Sequence, residues 1–200
     1  MRSHPLRRAL VASLLVILHP LSASAGGKVI EQAKTYTVTG TTGIELYRSI
    51  GERGPKLGSS RTIAHTGFRL TWQRDYQRRG NACVLASAVP TLVITTTLPK
   101  ASGKLSPAVR ESWERFVEGV TAHEAVHAGH IKDLVADIEK STIGLTESND
   151  PDCRKIRERM QPILGALSKA ERQKQRDFDE VEFANGGAVH QLILTLANGP

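Results

Sequence analysis

Apolar residues recur at a spacing of three and four through the middle of the chain. Val109, Trp113, Phe116 and Val120, then Ile131, Leu134 and Ile138, form one stripe of a long helix. Ser106-Pro107 supplies an N-cap followed by proline at the first helical position, and the helix should stop near Gly144. Gly119 and Gly129 each lower helix propensity by about 1 kcal/mol, and Gly129 would let another segment approach closely.

Before this helix the periods are shorter. Residues 34–39 (KTYTVT) alternate apolar and polar and predict a strand, ended by Gly40. Thr41 and Thr42 can cap a short helix from Gly43 to Ile50, with Ile44, Leu46, Tyr47 and Ile50 facing a sheet. Gly51 to Ser60 carries three glycines and a proline and reads as a loop. The segments RTIAHTGFRLTWQRDYQ and ACVLASAVPTLVITTTLP, separated by RRGN, are rich in β-formers and predict a hairpin or meander. Pro90 marks an edge strand, a bulge or a break into two strands. His65 in the first of these segments reads as a solvated or core residue.

After the long helix, Asp150-Pro151 starts another by the same cap logic, with Ile156, Met160, Ile163, Leu167 and Phe178 on its inner face. Pro162 should kink it. The run KAERQKQRDFDEVE is mostly a solvated charged face, and the tail AVHQLILTLANGP is a last strand or a docked extension. The sum is one α+β domain over residues 26–200, a small antiparallel sheet packed on the long helix and a second C-terminal helix.

The first 25 residues change the compartment. Arg2, Arg7 and Arg8 precede an apolar run from Ala9 to Leu18 and then Ala23-Ser24-Ala25, the pattern of a secretory signal peptide cleaved after Ala25. That run is too short to span a bilayer, and no other stretch is apolar enough. The mature protein is therefore expected in the periplasm or secreted, with no membrane span. Removing the leader leaves 24 basic against 20 acidic residues, a net charge of +4 instead of +7, which gives no case for nucleic-acid binding. Cys83 and Cys153 are the only cysteines. In an oxidising compartment the pair reads as a disulfide, with two buried free thiols as the alternative.

Candidate chemistry sits in the long helix. His123, His127 and His130 continue its apolar stripe within about 60° of one another, and His123 and His127 stand about 6 Å apart along the axis. Two neutral imidazoles one turn apart can close on a single zinc ion. Glu124, about 100° round from His123, can take a proton from zinc-bound water. This HExxH pattern arises by chance in a chain of this composition with odds on the order of 1 %. Partnered core histidines are the competing explanation, but each buried imidazole would need its own polar partner. Asp177, Asp179 and Glu182 on the returning helix could carry a carboxylate to the metal.

The ordered pieces YTVTGTTGIELYRSI, FRLTWQ, the Cys83 segment ending in TTTLP, WERFVEGVTAHEAVH, Cys153 and QRDFDE together resemble a bacterial domain-of-unknown-function family of predicted secreted zinc-dependent proteases. The resemblance implies a zincin-like fold, a Zn²⁺ cofactor and a peptide or protein substrate. It also implies a terminal motif of aromatic-Asp, then Thr, then His-Gly. Phe178-Asp179 fits its beginning, but Glu182 occupies the Thr position and Ala184-Asn185 the His-Gly position. That departure leaves His130 and Asp179 as competitors for the third metal position beside His123 and His127, with Glu124 as the general base. The function implied is an exported zinc metallopeptidase; the alternative is a non-catalytic zinc-binding envelope or scaffold protein of the same fold.

Overall fold

β1 (Lys28–Thr39) runs parallel to the second half of β5 (Ala82–Ser102), from Lys28 opposite Thr91 to Thr39 opposite Ser102. β4 (His65–Arg79) pairs antiparallel along the other flank of β5, so the strand order is β1-β5-β4. This is a computed structural model describing residues 26–199; the expected leader lies outside the described residues. The sheet is mixed, which corrects the expectation of a purely antiparallel one. Side-chain alternation tells which residues face the core, not which way a neighbouring strand runs. The hairpin to β4 fills one flank of β5, and the long connection from β1 to β5 permits the parallel pairing on the other.

Between β1 and β4 lie α1 (Gly43–Arg53) and a small ribbon of β2 (Lys56–Leu57) and β3 (Ser60–Arg61), where a plain loop was expected. Thr42 caps α1 in a capping box with Glu45. Leu46 and Ile50 are buried as expected, whereas Ile44 is exposed. β4 and β5 form one long hairpin whose register shifts between Asp75 and Tyr76, and Gly80 takes the left-handed backbone (φ 63°) that its tight turn requires. β5 passes through Pro90 unbroken. The β1 ladder begins only at Thr91, so Pro90 lies where that flank of β5 is unpaired.

α2 (Pro107–Thr142) starts at the Ser106 cap, as expected, and buries Val109, Trp113, Phe116, Val120, Ile131, Leu134 and Ile138. Its N-terminal half packs with α1 and the tail. Its C-terminal half packs Ala128, Ile131 and Val135 on Leu92 and Ile94 of β5. The histidines fall at the seam between these two clusters. β6 (Thr146–Glu147) then adds to β5 at Cys83 and Val84.

α3 (Arg154–Phe183) begins three residues later than Asp150-Pro151 suggested. Asp150 still serves it: Oδ1 accepts from the backbone N–H of Arg154 and Lys155, and Oδ2 from that of Ile156. Residues 150–153 turn with Cys153 in the left-handed region (φ 55°), where its disulfide to Cys83 holds it, with the two Cα atoms 5.3 Å apart. Only Ile156 and Met160 of α3 are fully buried, and the helix continues through Pro162 without interruption. The tail forms no strand; it docks on the core as a helix, α4 (Ala188–Ala197), burying Val189 and Leu196. Its Leu192 lies where a Cβ on Gly119 would stand, while nothing lies near Gly129. The close approach is thus at Gly119, roughly three turns before the residue that sequence favoured.

Candidate metal centre

Two helical stripes of equal spacing face each other. His123, His127 and His130 lie on α2, and Gln175, Asp179 and Glu182 lie on α3, each set at positions i, i+4 and i+7, which share one helix face. The helices run antiparallel. His130 therefore meets Gln175, His127 meets Gln175 and Asp179, and His123 meets Asp179 and Glu182.

Asp179 Oδ1 stands 2.9 Å from His127 Nε2 and 3.2 Å from His123 Nε2, and the two nitrogens are 3.0 Å apart. Hydrogen bonding alone satisfies this triangle poorly. If both nitrogens donate to the carboxylate, two N–H groups crowd the same 3.0 Å gap; if either does not, one contact with Asp179 sets lone pair against lone pair. A small cation at the centre is complementary to all three. Donor atoms about 2.0–2.1 Å from a tetrahedral ion stand roughly 3.3 Å apart, within a few tenths of an ångström of the observed spacings. His123, His127 and Asp179 could thus hold a metal ion, and they form the one such group among the described residues.

His130, the competing third ligand, is half-buried and directs Nδ1 to Gln175 Oε1 at 3.2 Å, outside the triangle. Asp177 is exposed and bonds Gln173 on the outer face. Phe178 stacks on His123, with ring centroids 4.8 Å apart and planes 19° from parallel, and sits edge-on to His127 and His130. It is an apolar wedge that keeps all three rings in place.

Glu124 is 5 % exposed, and its Oε2 has no hydrogen-bond partner. A buried carboxylate oxygen left unpaired is costly, and Glu124 lines a cleft of about 330 Å³ together with His123, His127 and Asp179. The opposite wall comes from Ile63 to Thr66 and Phe68 around the start of β4, placing His65 in the cleft although sequence assigned it no role. Arg172 and Arg176 border it from α3.

Charge in the site is mutually reinforcing. Burial works against ionised Asp179, but hydrogen bonds from His123 and His127 outweigh it and hold the carboxyl well below the usual range. Burial likewise opposes protonated His127, yet the bonds to Asp179 and Gln175 push its pKa above the ordinary imidazole value.

Sequence reasoning left Gln175 and Phe178 without a role at the site. The available signal was the matched spacing of the two stripes, which becomes meaningful only once α3 is known to return alongside α2.

Fold and site together define an α+β protein whose long central helix and antiparallel partner present a His-His-Asp cluster beside a buried glutamate. The chain belongs to the bacterial protein family of unknown function DUF922, whose model matches residues 33–187. No curated protein and no solved structure matches it.

Proposed function

We propose that this protein is an exported zinc-dependent hydrolase of zincin-like architecture, acting on peptide bonds. The observation that carries the reading is the Nε2, Nε2 and Oδ1 triangle of His123, His127 and Asp179 beside the unpaired Oε2 of Glu124 in one cleft. Two imidazoles and a carboxylate are a donor set suited to zinc at a catalytic centre. When bound, zinc would supply Lewis acidity, polarising a carbonyl and lowering the pKa of water.

The protein's own groups would do the rest. Glu124 would accept a proton on its carboxylate from a water in the cleft and return it to the leaving amine. Asp179 would balance charge between the two imidazoles, and Phe178 would exclude solvent from their far side. An extended segment could lie along residues 63–66, where Thr66 Oγ1 already donates to the Glu124 backbone carbonyl at 3.4 Å. The Cys83–Cys153 disulfide and the absence of any helix long and apolar enough to cross a membrane among the described residues are compatible with export.

Three donors favour an open site over the non-catalytic alternative. A closed structural zinc site needs four protein ligands, and His130, the spare histidine, is engaged by Gln175 instead.

The test is zinc content per chain for wild type, His123→Ala and Glu124→Gln, followed by cleavage of casein or a mixed peptide library. One zinc in wild type and Glu124→Gln, none in His123→Ala, and cleavage by wild type alone are expected. Zinc without cleavage would favour a binding protein, and no zinc after reconstitution would overturn the reading.

A further inference from the structure

Each imidazole that directs Nε2 toward Asp179 has a second nitrogen, and α3 supplies an acceptor for both. Gln175 Oε1 faces His127 Nδ1, while Glu182 Oε2 lies 3.6 Å from His123 Nδ1. The same helix that brings Asp179 to the triangle brings these groups one turn before it and one turn after it.

The orientation of the Gln175 amide follows from its other contacts. Its Nε2 lies 2.7 Å from Glu171 Oε1 and 3.3 Å from the His127 backbone carbonyl. Both are acceptors only, so the NH₂ end must face them and the carbonyl end must face the imidazoles. Gln175 Oε1 then accepts from His127 Nδ1 and from His130 Nδ1 together. This places hydrogen on His127 Nδ1, so that a metal ion at the triangle would meet the Nε2 lone pair.

His123 Nδ1 is the complementary case. It is buried and has no partner within hydrogen-bond distance, and its nearest acceptor is the Glu182 carboxylate, a few tenths of an ångström too far. Glu182 is itself largely buried, with 21 % of its side chain exposed. A buried N–H without an acceptor is costly, and a rotation of the Glu182 side chain relieves it.

We propose that Gln175 and Glu182 are positioning residues that hold His127 and His123 as Nδ1–H tautomers, aiming both Nε2 atoms at a common metal ion. This rests on the zinc reading above. Under it, α3 carries the third ligand together with the outer partner of each of the other two, the arrangement that orients imidazole ligands and raises their basicity. The glutamate standing where the resembling family was expected to have threonine thus acquires a use.

Two measurements separate this inference from the zinc reading. The first is the ring nitrogen that carries hydrogen at each histidine of zinc-loaded protein, read by long-range ¹H–¹⁵N correlation. Wild type should show Nδ1–H at His123 and His127. Of the two ligands, Gln175→Met should disturb His127 and Glu182→Met His123, while Glu182→Gln, and Gln175→Glu made together with Glu171→Gln so that two carboxylates do not face each other, keep an acceptor oxygen and should restore the wild-type pattern. The second is zinc affinity by competition with a chromophoric chelator: each Met variant should bind roughly 10–100-fold more weakly, and the acceptor-retaining variants within a few-fold of wild type. Unchanged tautomers and unchanged affinity in both Met variants, with zinc bound by wild type, would overturn the positioning role alone. A wild type that takes up no zinc would instead overturn the metal centre.

Discussion

Asp179 Oδ1 lies 2.9 Å from His127 Nε2 although 52 residues separate them in the chain. The contact joins the middle of α2 to the far end of α3.

If the site holds zinc, Asp179 and not His130 should be the third ligand. Asp179→Ala should lower zinc affinity by more than the roughly 10–100-fold typical of a residue that only orients a ligand. His130→Ala, which removes a contact to Gln175 and none to the triangle, should change it by less than about tenfold. Chelator competition on both variants decides the matter, and the reverse ranking would move the third ligand to His130.

Zinc should stabilise the fold. A ligand present at about a hundred times its Kd adds roughly 2.7 kcal/mol, which for a chain of this size raises Tm by roughly 5–10 °C. Thermal melts with zinc and with excess chelator should differ by that amount in wild type and coincide in His123→Ala. Coincident wild-type curves would exclude tight binding.

Breaking the disulfide should loosen the root of α3. Cys83 and Cys153 are 70 residues apart, and the chain-entropy relation for a loop of that length gives about 4 kcal/mol. The Cys83→Ser, Cys153→Ser double variant should melt roughly 10 °C lower. Zinc affinity should fall with it, because the bond anchors the helix that delivers Asp179. A double variant as stable as wild type would show that the Ile156 and Met160 contacts hold α3 unaided.

Asp150 should impose an acid limit on stability. Burial opposes its charge, but three backbone N–H groups of the first turn of α3 outweigh that and lower its pKa. A carboxyl depressed in the folded state stabilises above its unfolded pKa, near 4, and loses that contribution as pH falls through the folded value. Asp150→Ala should therefore melt a few degrees below wild type at neutral pH. The gap should close on acidification below about pH 4, and one that widened there would contradict the assignment.

The elements and the site were legible to different degrees. The α2 stripe from Val109 to Ile138 was readable because a 36-residue helix repeats its period many times, and HExxH because its spacing is local to one helix. The direction of β1 beside β5 and the helical state of the tail were not readable. The first depends on a pairing across more than sixty residues. In the second, the short run AVHQLILTLA carries too few turns to tell a strand from a helix until it docks against Gly119 and α1.

By itself the sequence determined the α2 helix with His123, Glu124 and His127 on it, the hairpin of β4 and β5, and the residues available for a disulfide, since each is written in contacts of short range or in composition. Tertiary structure alone decided which carboxylate meets the histidines. Asp177, Asp179 and Glu182 are equivalent as letters, and only the antiparallel docking of α3, started by Asp150 and pinned at Cys153, turns Asp179 inward and Asp177 to solvent. The same docking brings Asp179, and not His130, to the two Nε2 atoms: one helix presents successive residues along its axis, whereas a second helix crossing the gap can close a triangle of atoms about 3 Å on a side.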